Sequence, residues 1–490
     1  MPTTPAVTAT LAAFCAGLSS SKLPPEVVER TRFLILDLVG NMIRGRHDAE
    51  STPAVIRMAE ALGFSGAAAN GTARVFADPH GYTPAGAALV NGVMAHSLDF
   101  DDTHAAGTLH PGAPVIPSAL AAAEMVGASG ADVLAGIVAG YEVTCRLALA
   151  LPAGEHYQRG FHPTATCGVF GSAAAAARVF GLDAAGVEAA LGIALSQSAG
   201  SLQFLANGAW TKRFQVGWAA MAGLVAASLA REGFKGASEA IEGKHGFLRA
   251  YAPNPNPDRV LQDLGDVYEL MVTAVKPYPS CRYGHAGIDA MLALRDELRL
   301  EPNDIDRVTY GLSHAGMLLV GAPAEKKADP KNTVDCQFSG PFVLSAAYVT
   351  GAMSWDTYRL VDDPRIRSLL PKVRCEHDAD IEAEFPTNMS GKVTIESRGK
   401  TYVKTVIVPK GEPSNFMSAD ELTAKFASLA DPVLGPRGAK DLADNILRFD
   451  RLPDVSLLVA APVVLSGEDV AFRAVPSIGE HSAAIRAEFG

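Results

Sequence analysis

From the start of the chain to about residue 265, apolar positions recur with helical spacing, in stripes of Ala, Leu and Val flanked by polar faces. Residues 25–44, 83–98, 116–125 and 131–150 are the clearest of these segments and consist mostly of good helix formers. Gly181 and Gly233 follow the periodic runs 167–180 and 219–232, where a glycine supplies a helix stop. The abundance of alanine in the stripes allows short distances between helix axes. This half of the chain predicts a helical bundle, not a doubly wound sheet.

The pattern changes near Pro253, Pro255 and Pro257. Short β-branched runs follow at 268–275 and 305–312. The runs 392–396 and 402–408 flank Ser397-Arg398-Gly399-Lys400 and predict a hairpin. Helical patterns at 285–298 and 338–350 lie between these strands, and 419–430 and 438–449 return to helix. The expected fold is mainly α. It has a large all-α helical domain made of residues 1–267 together with 411–490, and a smaller α+β lid domain over 268–410. The longest uncharged run, 189–211, could span a bilayer by length, but its Ser196, Gln197, Ser198, Ser201, Gln203 and Asn207 would need partners in lipid. It is expected to be a buried helical segment, with no membrane partner.

Composition narrows the function classes. Hydrophobic residues make up 48% of the 490 and charged residues 19%, which excludes a disordered chain. The balance of 42 Lys+Arg against 53 Asp+Glu gives −11, too acidic for a nucleic-acid partner. Six singly placed cysteines, with no CxxC pair, point to reduced thiols and a cytoplasmic location. No basic stretch precedes the first apolar run, so no secretory signal is expected. The net acidity leaves open a local cationic site.

Four clusters could carry chemistry. His96-Ser-Leu-Asp99-Phe-Asp101-Asp102-Thr103-His104, followed by Leu109-His110-Pro-Gly, interrupts two core-like helices. A solvated loop with helix caps is the plainer reading, but so much charge between buried segments is costly unless it is used. Metal ligation and acid–base catalysis both use His and Asp. The absence of a helical ligand pair such as HExxH favours a histidine acid/base with a carboxylate setting its tautomer. His162 stands just ahead of Thr164 and Thr166 at a helix start. Lys212 and Arg213 lie inside an apolar helical stretch, where snorkelling is the bland alternative. Lys276, Cys281, Arg282 and His285 follow the first strand of the second unit, in a proline-fixed loop. Together these cations and imidazoles suit the grip of two or three carboxylates, and fixed cationic donors can stabilise an enolate without a metal.

The stretches AHSLDFDDTH…LHPGAPVIPSALAAAE, GFHPTATCGVFGSAAAAARVFGLD, TKRFQVGWAA, KPYPSCRYGHAGIDA and DCQFSGPFVLSAAYVTGA, in this order, resemble the MmgE/PrpD family. That family contains 2-methylcitrate dehydratases, cis-aconitate decarboxylases and iminodisuccinate epimerases. The resemblance implies a homodimer with a metal-free, cofactor-free site between a helical domain and a lid. It also implies functional roles for Asp99, Thr103, His110, His162, Lys212 and Lys276. The expectation is a lyase or isomerase that transfers a proton alpha to a carboxylate of a small di- or tricarboxylate. His110 or His162 is the acid/base, and Asp99 and Thr103 orient His110 or the substrate. Lys212 and Lys276 bind carboxylate and steady the enolate, and Arg213, Cys281, Arg282 and His285 contribute to substrate binding. Dehydration, decarboxylation and epimerisation of an iminodisuccinate-like dicarboxylate stay open. A competing class is a Mg²⁺-dependent helical prenyl-diphosphate enzyme, suggested by Asp99-Phe-Asp101-Asp102, though a second acidic motif is not found. GxSxG, GxGxxG and GxxxxGK[ST] are absent.

Overall fold

A computed structural model describes residues 6–66 and 73–458. The architecture is mainly α. One hydrophobic core collects buried side chains from Val7 to Val275 and again from Met417 to Leu458, and a second collects them from Cys281 to Ile395. The expected C-terminal tail beyond residue 458, and the first five residues of the chain, lie outside the described residues.

Helices Pro25–Asp48, Pro84–Ala95, Gly112–Val126, Gly130–Ala150, Gly168–Val179 and Thr211–Arg231 build the first core. Thr83 and Ser129 cap two of them by accepting from the backbone N–H of Gly86 and Asp132. The small residues bring backbones together. A Cβ added at Gly92 would lie 2.8 Å from the Cα of Gly217, so the Pro84–Ala95 and Thr211–Arg231 helices cross in close contact there. Gly130–Ala150 is long and apolar enough to cross a membrane, but 94% of that window is buried within the fold. It also carries the buried Arg146–Glu142 pair.

The second core backs a four-stranded sheet in the order Val373–His377, Arg307–Leu312, Gly391–Ser397, Lys400–Val406. The first pair is parallel and the others antiparallel, with Leu312 opposite His377. The hairpin turn falls at the expected place, with Arg398 and Gly399 both at positive φ (51° and 74°), as a tight two-residue turn requires. Its outer strand is mostly exposed and carries Lys400 and Lys404, charges that discourage edge pairing. Helices His285–Leu298 and Gly340–Thr350 complete this unit.

Two expectations are corrected. Residues 268–275 form a short 3-10 turn, Glu269–Val272, and only a two-residue strand, Thr273–Ala274. Side chains satisfy part of the backbone in and just before this run: Leu270 N donates to Glu142, and Arg146 donates to the carbonyls of Val260, Gln262 and Val267. The run 189–211 is not one buried helix. The helix ends at Leu195, and a separate 3-10 turn, Leu202–Ala206, leaves Leu205 68% exposed. Its serines bond backbone instead, with Ser201 Oγ accepting from Gln203 N and Ser198 Oγ donating to Thr166 O. In the tail, the two expected helices are both present within Ala419–Ile446, separated by a non-helical break at Gly435 (φ 71°) beside Pro432 and Pro436. Two-residue ladders, Ala73–Arg74 with Gly81–Tyr82 and Thr103–His104 with Thr273–Ala274, also lie among the helices of the first unit.

Candidate active site

The close crossing at Gly92 and Gly217 has a local consequence. His96 ends the Pro84–Ala95 helix, and Lys212 lies in the first turn of Thr211–Arg231, so the two helices deliver both groups to one loop. That loop carries Asp99, whose φ of 54° is in the left-handed region. The ladder pairing Thr103 with Ala274 then sets Lys276 beside the same loop.

Side chains from distant elements hold the loop by its backbone. Leu98 O accepts from Gln337 Nε2 at 2.9 Å and Asp99 O from Lys276 Nζ at 2.7 Å. Phe100 O accepts from Lys425 Nζ at 2.9 Å and from Asn41 Nδ2 at 3.3 Å. Asp102 O accepts from His110 Nδ1 at 2.7 Å. Gln337 also donates to Pro279 O at 3.0 Å, tying the Asp99 loop to the loop after Lys276. Lys425 is buried over the Phe100 ring and paired with Asp37. Such an arrangement over-determines a strained backbone conformation, which is how strain persists at a functional site.

Asp99 bridges two cations. Its Oδ1 lies 3.1 Å from Lys212 Nζ and its Oδ2 3.2 Å from Lys276 Nζ. Burial raises the Asp99 pKa, but Lys276 and then Lys212 outweigh it and hold the carboxyl well below its usual range. Burial lowers the Lys212 pKa, and Asp99 with Asp101 more than reverses this, so Lys212 stays cationic. Lys212, Asp99 and His110 are the members with side-chain exposure (31%, 18% and 15%), whereas His96 and Asp101 have none. A ligand would therefore meet the cluster on the Lys212–Asp99–His110 side.

Three imidazoles gather behind them. The His96 ring is 4.8 Å from His110 and 5.9 Å from His162, centre to centre. Burial drives all three pKa values down, His110 to about 3 even though Asp101 pulls it up, and the other two well below the usual value. All three are neutral at pH 7, so their partners assign the tautomers. His110 Nδ1 must donate to the Asp102 carbonyl, His96 Nδ1 faces Asp101 Oδ2 at 2.7 Å, and His162 Nδ1 faces Gln215 Oε1 at 3.1 Å. Each Nε2 is then left with a free lone pair. His96 and Asp101 were not singled out as site residues in the sequence, although both stand in its densest polar cluster.

The other expected residues take varied places. Asp99, expected to orient His110 or the substrate, is held by the lysines, and the Asp102 backbone orients His110 instead. Thr103 Oγ1 is buried with no hydrogen-bond partner among the described residues. Cys281 is buried, its N–H donates to Gln337 O, and burial pushes its thiol up to about 11, so it is not a thiolate at neutral pH. Arg213 donates to Ser51 Oγ at 3.1 Å, Arg282 is paired with Glu412, and His285 Nε2 donates to Ser280 O at 3.2 Å. Arg282 and His285 thus serve the loop around Lys276 rather than standing free. Lys212 and Lys276 share the single carboxylate of Asp99, whereas Arg282 and Lys425 each have their own, Glu412 and Asp37, so only part of the cationic charge is left for a ligand.

His96, Asp101 and His110 have ligand atoms within 4.8 Å of one another, close enough to hold a metal ion. In this arrangement the His96 and His110 Nδ1 atoms are occupied as hydrogen-bond donors. The acidic run does not form a diphosphate–magnesium site either. Asp99 faces the lysines, Asp101 faces His96, and Asp102 accepts from Tyr141 Oη and Gly112 N.

Comparison with known proteins covers most residues of both cores, the second family model also taking in the Ala419–Ile446 segment that packs in the first core. A model of the MmgE/PrpD N-terminal domain matches residues 9–260, and one of the MmgE/PrpD C-terminal domain matches residues 278–449. The chain is 28% identical over 487 residues to a cis-aconitate decarboxylase-like protein of Aspergillus oryzae, covering 94% of this chain and 98% of that protein. It is 27% identical over 477 residues to the cis-aconitate decarboxylase of Aspergillus terreus, covering 92% and 95%. The cis-aconitate decarboxylase of Mus musculus is 28% identical over 466 residues, covering 92% of each.

Proposed function

We propose a substrate and a course of reaction for this chain, which belongs to the MmgE/PrpD family and is a lyase: it decarboxylates cis-aconitate or a closely similar tricarboxylate without a metal. The observation that carries this reading is the pair of lysines held on Asp99 beside three neutral imidazoles. In the reaction the C–C bond to the allylic carboxylate breaks and CO₂ leaves. The freed electron pair forms the new C=C bond. The old π pair moves toward the neighbouring carboxylate as a dienolate and then takes a proton at the carbon alpha to it. Lys212 and Lys276 offset the charge that builds on that carboxylate. His110, neutral when the site is empty, takes up a proton as the anionic substrate arrives and delivers it to the alpha carbon.

Because the empty-site pKa of His110 is lowered to about 3, the protonated form becomes scarcer as pH rises, so kcat/KM falls between pH 5 and 8. A histidine acting as a base, as dehydration or epimerisation would need, gives a flat or rising profile over the same range. In D₂O, NMR should show release of CO₂ and a terminal-methylene dicarboxylate carrying one deuterium alpha to a carboxylate. His110→Ala should reduce turnover at least about 100-fold. Failure to consume cis-aconitate, or deuterium exchange without CO₂ release, overturns the reading.

The reading includes a cytoplasmic homodimer. In its support, all six cysteines are unpaired, and an exposed apolar stripe runs along the Thr211–Arg231 helix: Phe214, Trp218, Val225 and Leu229, with Trp210 just before it. A contiguous stripe of this kind marks an association surface, and a second copy would cover the same stripe on both subunits. The protein should sediment as a dimer, and the double substitution Phe214→Glu with Trp218→Glu should yield monomers. A monomeric wild-type protein at micromolar concentration counts against it.

A further inference from the structure

A second cluster of ligating side chains lies in the sheet unit, apart from the lysines and imidazoles of the site. His314 follows strand Arg307–Leu312, His377 ends strand Val373–His377, and Glu382 lies on the short helix Ala379–Glu384. Their ligand atoms all lie within 4.8 Å of one another. Glu382 Oε2 is 3.2 Å from His314 Nδ1 and 3.4 Å from His377 Nε2, and the two rings are 3.9 Å apart. A tetrahedral ion with bonds of about 2.1 Å separates its ligands by about 3.4 Å, so both distances are near those of an occupied site.

The backbone fixes all three positions. Leu312 pairs with His377 in the parallel ladder, and Asp378 N donates to Leu312 O, which locks the two strand ends together. Ser313 caps the turn that starts at His314, and Asp378 caps the helix bearing Glu382, which Ile381 anchors by burial. His314 N also donates to Glu382 Oε2 at 2.6 Å, and this bond is the main cause that keeps the Glu382 carboxyl below its usual pKa range. The nearby Lys392 is neutralised by Asp378 and Asp380. The set is open to solvent, with side-chain exposures of 73%, 39% and 37% for His314, His377 and Glu382.

We propose that His314, His377 and Glu382 form a three-ligand site for a late first-row divalent metal ion of the Zn²⁺ class, with an open position for water. Two imidazoles and one carboxylate suit that class better than Mg²⁺ or Ca²⁺, which take oxygen ligands. Bound there, the ion ties together two strand ends and a helix. The π-helical turn Met317–Gly321 follows directly, and the adjoining Gly316 packs against Tyr283, which is two residues from Cys281. The metal would therefore brace the outer support of the Lys276–Cys281 loop without touching the reacting groups.

The test is Zn²⁺ titration of untagged, metal-free protein by calorimetry, with Co²⁺ absorption spectra reporting the ligand set. The expected result is one ion per chain with a dissociation constant in the micromolar range. His314→Ala and His377→Ala should each weaken it about 100-fold, and Glu382→Gln about tenfold. Turnover of the metal-free His377→Ala protein should match that of the metal-free wild type. Two results overturn the proposal. One is binding that is unchanged in His377→Ala, which would send the ion to the imidazoles around Asp101. The other is no 1:1 binding up to about 100 µM Zn²⁺.

Discussion

Replacing Lys276 by methionine should lower kcat/KM on the proposed substrate, cis-aconitate, about a thousandfold while leaving the protein folded. Lys276 is 5% exposed and donates to Asp99 twice, to its backbone carbonyl at 2.7 Å and to its carboxylate, with Nζ 3.2 Å from Oδ2. Methionine fills nearly the same space, so packing is largely kept. What is lost is one of the two cations proposed to face the developing dienolate, together with the bond to the Asp99 carbonyl beside its left-handed backbone. Loss of one preorganised electrostatic donor typically costs about 10²–10³ in rate, and misplacement of Asp99 and Lys212 adds to it. Arginine should not rescue the activity, because its planar fork cannot occupy a buried space shaped for an ammonium. Steady-state assays of CO₂ release alongside thermal unfolding check this. A loss below tenfold in a folded protein would remove Lys276 from the reaction.

Gln337→Glu should give a defect that grows with pH. Gln337 is 6% exposed, and its Nε2 faces the carbonyls of Leu98 and Pro279 at 2.9 and 3.0 Å. A carboxylate there would point an anion at two carbonyl oxygens, and burial raises its pKa. When protonated, the glutamic acid restores one of the two bonds. The ratio of variant to wild-type kcat should therefore be highest near pH 5 and fall about 100-fold by pH 8, the effect of roughly 3 kcal/mol from two charge-sensitive hydrogen bonds. Gln337→Met lacks any donor and should show a defect with no such slope. Using the ratio removes the pH dependence of the wild type. A flat ratio, or a loss that follows only the unfolding temperature, would leave Gln337 as ordinary packing.

These two residues illustrate what the sequence made legible. Lys276 could be found because prolines and cations stand together beside a strand-like run, even though most of that run turned out to be a 3-10 turn. The Asp99–His110 cluster was conspicuous because charge broke into apolar helices. Gln337 and Lys425 carry no such mark. A glutamine between helices and a lysine four residues after a capping-box glutamate look like surface positions by spacing alone, and their role arises only when distant backbone carbonyls come within reach. The roles of the carboxylates were equally hidden. Adjacent residues point in different directions, so Asp99 meets lysines while Asp101 meets His96, and no periodicity distinguishes them. The run 189–211 misled for the opposite reason: its apolar content resembles core, but serines and a glycine at positive φ (Gly200, 159°) hand its backbone to local turns.

Lys425 gives the site a dependence on synthesis order. Its amine reaches back to Phe100 O across 325 residues of chain and shares that carbonyl with Asn41, which lies 59 residues before Phe100. Contacts of such sequence separation form late, because the loop they close must be ordered first. A growing chain can therefore bury much of its first helices on the ribosome while the Asp99 loop still lacks one of its anchors. The lysine that completes it is made 325 residues after Phe100, so a chain not yet extended that far has the chemical groups of the site without the geometry that sets them to work.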